Sequence, residues 1–161
     1  MTMIAFDQFS IASDSQAYND GIIEQAPFQK LIKKDKRIYA LSGTALMLPA
    51  FIKWYEEGAD PVSVPTFPGV KSQEDWQGNL LVWEDGKFIH FSPIPAFPYG
   101  GEVPAPFAIG SGAKFAMGAM LAGASAAQAV EIAIKLDEGS GGPVQEINLR
   151  QFAAQPRLVS R

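Results

Sequence analysis

Thr2 is the residue with the most chemistry open to it, because it becomes the first residue of the chain once Met1 is removed. A threonine in that place carries its own base. The free α-amine takes the hydroxyl proton, and the hydroxyl oxygen can then attack a carbonyl. An unperturbed α-amine has a pKa of about 7.7–8.0, so a usable neutral fraction exists near pH 7. Six further residues stand at separated positions. Asp14 follows Ile11-Ala12-Ser13, Lys30 precedes Leu31-Ile32, and Gly43 lies in Ser42-Gly43-Thr44. Ser111 lies in Gly110-Ser111-Gly112, and Asp137 and Ser140 share Asp137-Glu138-Gly139-Ser140-Gly141-Gly142. Each has a plain reading when taken alone. Thr2 would be an ordinary first strand residue, Asp14 a turn residue, and Lys30 a solvated strand lysine like Lys33, Lys34 and Lys36. Gly43 would be a helix-start glycine and Ser111 a helix N-cap. Asp137 and Ser140 would be the polar end of a helix and a glycine-rich turn.

The elements that must carry these residues are legible in outline. Met3–Phe6 and Ser10–Ser13 are half-apolar segments around Asp7-Gln8-Phe9, which predicts a hairpin. Segments 28–33 and 37–41 predict a second hairpin, and 80–84 with 87–91 a third, with Asp85-Gly86 as a favoured two-residue turn. In the second, Lys30 shares a strand face with Phe28 and Ile32, which are expected to point inward, whereas Lys33 lies on the opposite face. Leu48, Phe51, Ile52 and Tyr55 recur at helical spacing in 44–57. Pro49 costs a backbone bond unless it lies in the first turn, so that helix is expected to begin near 45–48 or to kink there. Two helices rich in small residues are expected at 112–121 and 124–136, the second capped by Ser125. A last strand is expected near 144–149. Strands, two helical regions and a final strand fit an α+β layered domain. Segments 59–78 and 93–106 are rich in Pro and Gly and read as ordered loops or strand extensions, with a role in a cleft or subunit interface as the sharper alternative. The polar tail 150–161 reads as an interface arm or a frayed end.

Composition narrows the classes. The chain has 161 residues, 47% of them apolar, enough for one domain with a real core. The net charge is −4 with scattered Lys and Arg, which argues against nucleic acid or an anionic membrane as partner. The absence of cysteine removes disulfides and thiol nucleophiles, and the single His90 removes any multi-histidine metal centre. His90 alternates with Ile89 and Phe91 and is expected at the surface or core edge. No apolar run reaches the length of a membrane span, and no basic stretch followed by an apolar one opens the chain, so a cytoplasmic protein is expected.

Together and in this order, the motifs resemble those of proteasome β-type subunits, within the N-terminal nucleophile hydrolases. The resemblance runs from Thr2 to about Leu149 and is strongest over 2–44 and 108–142. The short Thr2–Asp14 spacing is similar to that of the compact proteasome-like proteins of bacteria and their phages. The resemblance implies a four-layer αββα sandwich over a single domain, 1–161. It implies Thr2 as nucleophile, the Gly43 amide as oxyanion donor, and Lys30 beside the nucleophile, held by a buried Asp14. Ser111 would hydrogen-bond the terminal amine, and Asp137 with Ser140 would orient the nucleophile. The implied reaction is peptide-bond hydrolysis through an ester, with no metal or organic cofactor. The implied partners are peptides or unfolded proteins, further copies of the chain in a homo-oligomeric ring, and an ATP-dependent unfoldase as a candidate docking partner. Three departures stand out. Met3 replaces a small polar residue and is expected to put a thioether near the cleft, Gln16 replaces an arginine, and Gln8-Phe9 lacks the hairpin glycine. Two alternatives compete: a ring-forming or structural subunit with little or no peptidase activity, and an amidase acting on a small amide.

Overall fold

The computed structural model describes residues 2–24, 26–44, 47–65, 78–94 and 97–155. Short turns set most of the strand pairing. Strands β1 (Met3–Phe6) and β2 (Ser10–Ser13) pair antiparallel with Phe6 opposite Ile11. Asp7 closes their turn, its Oδ1 accepting from the Phe9 and Ser10 amides at 2.6 and 2.8 Å. Next come β3 (Tyr18–Asn19) and β4 (Ile22–Ile23), a small hairpin around Asp20-Gly21. The φ angles there are 50° and 80°, the positive pair that a tight hairpin turn requires. Strands β5 (Leu31–Lys34) and β6 (Arg37–Ser42) form the expected second hairpin, although β5 begins three residues later than its pattern suggests. Helix α1 (Leu48–Glu56) takes Pro49 in its first turn, where the missing N–H breaks no bond.

A single turn of 3-10 helix at Pro61–Ser63 leads toward β7 (Asn79–Glu84) and β8 (Lys87–Ile94), joined by Asp85-Gly86. Residues 66–77 of the Pro/Gly-rich segment 59–78 lie outside the described residues. In the second such segment, 97–103 is strand β9 (Phe97–Val103), paired along β8 as a strand extension. Strand β10 (Phe107–Gly110) pairs with β1 and has no counterpart in the expected elements. Helices α2 (Ala113–Leu121) and α3 (Ala126–Leu136) follow, and Ser125 and Gln128 close a capping box on the second. Strand β11 (Gln145–Asn148) leads directly into α4 (Leu149–Ala153). The tail reading is therefore corrected for 150–153. These residues are helical because Leu149 and Phe152 bury in the core, while 156–161 lie outside the described residues.

All pairing in the two large sheets is antiparallel, in the orders β10-β1-β2-β11 and β5-β6-β7-β8-β9. Period-two alternation then builds three separate cores. Met3, Ala5 and Ala12 face α2 and α3, meeting Ala116, Ala126, Ala129, Val130 and Ala133. Ile4, Phe6 and Ile11 face the second sheet, meeting Ile38, Ala40, Leu81 and Phe88. Tyr39, Leu41, Leu80 and Val82 point the other way, onto Leu48, Phe51, Ile52 and Trp54 of α1. The result is the expected α+β fold in four layers: helices, sheet, sheet, helix. Alanines at the first interface let the helices lie close to the sheet, a stack of Phe6 on Phe88 at 3.6 Å bridges the two sheets, and aromatic edges seal the third layer. Among the described residues no helix is long and apolar enough to cross a membrane.

Candidate active site

Thr2 immediately precedes β1 and is only 5% exposed. Its carbonyl accepts a hydrogen bond from the Ser111 amide at 3.1 Å. That approach is possible because Gly110 has φ +105°, and a Cβ there would overlap the Thr2 carbonyl oxygen. Glycine at 110 is thus what lets the start of α2 lie against the chain terminus.

Asp14 follows β2 and is fully buried. Its Oδ1 accepts from the Met3 amide at 2.8 Å and from Lys30 Nζ at 2.7 Å. Its Oδ2 accepts from the Gly141 amide at 3.1 Å and the Gln16 amide at 3.3 Å. One carboxylate therefore joins the residue after Thr2, the lysine, and the glycine-rich turn. Lys30 is 5% exposed, the same as Thr2. Burial pushes its ammonium below the ordinary lysine value, and the hydrogen bond and charge of Asp14 recover part of that loss. Its backbone is pinned by Gln145 of β11, whose Oε1 accepts from the Lys30 amide at 3.1 Å while its Nε2 donates to the Phe28 carbonyl at 3.0 Å.

A second cluster forms at the ends of α2 and α3. Asp137 Oδ2 accepts from the hydroxyls of Ser111 at 2.6 Å and Ser140 at 2.5 Å. Burial raises the Asp137 pKa, but these two bonds and the Gly139 amide outweigh it and hold the carboxyl below the usual aspartate value. Gly43, with φ 125°, follows the end of β6. Thr2, Lys30 and Gly43 line one pocket of about 620 Å³, together with Phe28, Leu41 and Leu48 and the β3–β4 side of the chain at Gln16, Ala17, Tyr18 and Glu24. The fold thus brings all seven candidate residues into one connected region. Asp14 lies beneath it, and the Ser111–Asp137–Ser140 cluster is tied to Thr2 through the Ser111 amide. Among the described residues no group of three or more His, Cys, Asp or Glu could hold a metal ion.

Two expectations are corrected, for Lys30 with Phe28 and for Met3, while that for His90 agrees with the structure. Lys30 lies just before β5 rather than within it, and its neighbour Phe28 is 38% exposed and lines the pocket instead of pointing into the core. Met3 is fully buried on the helix-facing side of β1, so its thioether packs in the α2–α3 core beside Gly112 and does not line the pocket. Alternation along β1 requires this, because Ile4 must face the other sheet. His90 sits between the sheets at the core edge, with Nε2 2.9 Å from Asn79 Oδ1 and its ring against Phe107. Sequence reasoning missed three supporting residues. Gln145 carries no local signal and Gly110 stands in the Gly110-Ser111-Gly112 motif without a role of its own there, whereas Tyr18 lies beside an Asp-Gly pair between apolar residues, a hairpin signal that was available.

No family profile and no curated protein matches the sequence. Among solved structures, the chain is similar to Thiobacillus denitrificans BPH, with 21% identity, a TM-score of 0.67, and 92% of this chain and 97% of that one covered. The same protein in complex with epoxomicin gives 20% identity and a TM-score of 0.66 over the same shares. Eukaryotic HslV from Trypanosoma brucei gives 18% identity and a TM-score of 0.64, over 91% of this chain and 97% of that one. At such identities the likeness is one of fold.

Proposed function

We propose that this chain, which has the αββα fold of the proteasome-like N-terminal nucleophile hydrolases, is an N-terminal threonine peptidase subunit that works in a homo-oligomeric ring. The observation that carries the reading is the buried Lys30–Asp14 pair at the pocket that Thr2 lines. A buried ammonium is expensive unless a carboxylate compensates it, and no solvated strand lysine needs such a partner. Beside a hydroxyl it favours the alkoxide and the neutral amine.

In this reading Met1 is removed and the Thr2 amine takes the proton of its own hydroxyl. Thr2 Oγ bonds to the peptide carbonyl carbon, and the Gly43 amide stabilises the oxyanion. The C–N bond then breaks, the leaving amine takes up the proton, and water hydrolyses the ester. Lys30, held by Asp14, tunes the charge. Ser111 and Ser140, joined through Asp137, hold the terminal residue in place. Substrates are peptides or unfolded proteins, and an ATP-dependent unfoldase is the partner such a ring would dock.

Epoxomicin, the ligand of one similar structure, is the natural probe. Intact mass should show loss of Met1 and one covalent adduct, with no adduct on a folded Thr2→Ala variant. Retention of Met1 and no adduct would assign the chain to a ring-forming, structural role. Hydrolysis surviving in Thr2→Ala would remove Thr2 as nucleophile.

A further inference from the structure

The segment 14–18 is held on two sides. On one, the Ser15 amide donates to the Gly141 carbonyl at 3.0 Å, and the Ser15 hydroxyl donates to the Pro143 carbonyl at 2.6 Å. On the other, the Phe28 amide donates to the Ser15 carbonyl at 2.8 Å and the Glu24 amide to the Ala17 carbonyl at 2.9 Å. One segment therefore lies between the pocket wall, at Glu24 and 26–28, and the turn that follows Asp137. Near Thr2 the buried Asp14 knots these parts together. At the outer end a side-chain chain does so: Gln16 Nε2 donates to the Tyr18 hydroxyl at 2.9 Å, and that hydroxyl donates to the Glu138 carbonyl at 3.0 Å. Gln16 is itself packed against the turn, since a Cβ on Gly141 would overlap its Oε1.

We propose that Tyr18 is a positioning residue, whose hydroxyl locks the Asp137–Ser140 turn to the wall of the substrate pocket. Glu138 is the residue next to Asp137, and Asp137 is what holds the Ser111 and Ser140 hydroxyls. Tyr18 is one of the residues that line the pocket and its hydroxyl grips the turn, so the residue spans the two features that must be in register during reaction. A wall residue would need only the ring. The phenol donates to a backbone carbonyl that has no intrahelical partner, because it lies beyond the end of α3. The inference rests on the peptidase reading for its kinetic consequence, but the lock itself is independent of it.

The test uses the full chain with Tyr18→Phe, which keeps the ring, and Tyr18→Ala, which removes it. Two measurements are made. The first is amide hydrogen exchange over 138–142, which needs no activity. Loss of one hydrogen bond at an exposed site should speed exchange there about three- to tenfold in Tyr18→Phe, with the sheets unaffected. Unchanged exchange overturns the lock whether or not the protein is a peptidase. The second is hydrolysis of a peptide substrate. Tyr18→Phe should lower kcat about three- to tenfold with KM within twofold of the wild type, whereas Tyr18→Ala should also raise KM. Full kcat in Tyr18→Phe, or a change in KM alone, would reduce Tyr18 to a wall residue and overturn the proposal. An inactive wild-type protein with faster exchange in Tyr18→Phe would sink the peptidase reading and leave the lock standing.

Discussion

Asp14→Asn isolates the charge at the centre of the site with little change in shape. Each carboxylate oxygen accepts two hydrogen bonds, from Met3 and Lys30 on one side and from Gln16 and Gly141 on the other. An amide cannot reproduce this, because whichever side receives the NH2 turns two donors against a donor. If the oxygen faces Lys30, the Gly141 and Gln16 amides lose their acceptor. If the NH2 faces it, the ammonium and the Met3 amide lose theirs, and in either orientation the buried ammonium loses its counter-charge. Breaking a buried ion pair from one side costs about 3–5 kcal/mol. For a chain of this size that corresponds to a fall in Tm of roughly 6–20 °C. Lys30, whose pKa is already lowered by burial, should fall further once Asp14 no longer opposes that burial. The assay is thermal and urea unfolding at one fixed protein concentration, with Lys30→Met and the double variant alongside. Lys30→Met leaves a carboxylate still held by three amides, so it should cost less, about 2–4 kcal/mol. The double variant should be no less stable than Asp14→Asn alone, a coupling of at least about 2 kcal/mol, which is the full cost of Lys30→Met. A Tm loss under about 3 °C for Asp14→Asn, or strictly additive single effects, would refute the reasoning that the two charges are mutually dependent.

Gly110→Ala should destabilise the fold by more than about 1 kcal/mol, because a positive φ and a clash with the Thr2 carbonyl act together. It should also abolish epoxomicin capture in whatever fraction stays folded, and normal adduct formation would show that Thr2 tolerates displacement. Phe28→Ala removes a half-exposed pocket residue, so Tm should move little. KM for a peptide with a large apolar side chain should rise about tenfold as apolar contact is lost, and an unchanged KM would place that side chain elsewhere. The folded pKa of Asp137 lies below the ordinary aspartate value of 3.8, so its ionisation stabilises the fold fully above that value, and the contribution is lost as pH falls through the folded pKa. Unfolding followed from pH 6 to pH 2 should show the gap between wild type and Asp137→Asn closing below about pH 4, and a constant gap would mean that the carboxylate charge is not what the two serines stabilise.

Much of this fold is legible in the order of residues, for an identifiable reason. Hairpins 31–42 and 79–91 are encoded locally, by alternation and by Asp-Lys and Asp-Gly turns that take positive φ angles only a few residues accept, and hairpin 3–13 by alternation and the Asp7 side chain that closes its turn. Ser125 and Gln128 announce the start of α3 in the same way. The less legible elements are those whose pairing is distant. Strand β10 is held by β1 across about a hundred residues, and its four residues have no turn of their own to mark them. Strand β9 hides in a Pro/Gly-rich stretch because it is an edge strand, where proline can stand without breaking a central ladder. Helix α4 follows from the burial of Leu149 and Phe152 against Ile11 and Trp83, which no local pattern reveals.

The same division holds in the site. From the chain alone come the residue types that could do the chemistry: a threonine one step from the terminus, a lysine, an aspartate, glycines and serines in order. Chemistry of that kind depends on side-chain identity, which sequence states outright. What only the tertiary structure decided is which of several similar residues is used and where each one faces. Lys30 differs from Lys33 and Lys34 because Asp14 lies 2.7 Å from its ammonium and Gln145 fixes its backbone. Met3 points into the α2–α3 core and Phe28 into the pocket, the reverse of what local reading suggests. Burial and charge pairing are properties of neighbours brought together across the fold, and a pocket exists only once the two sheets, with β3–β4 and α1 at their margin, have closed around it.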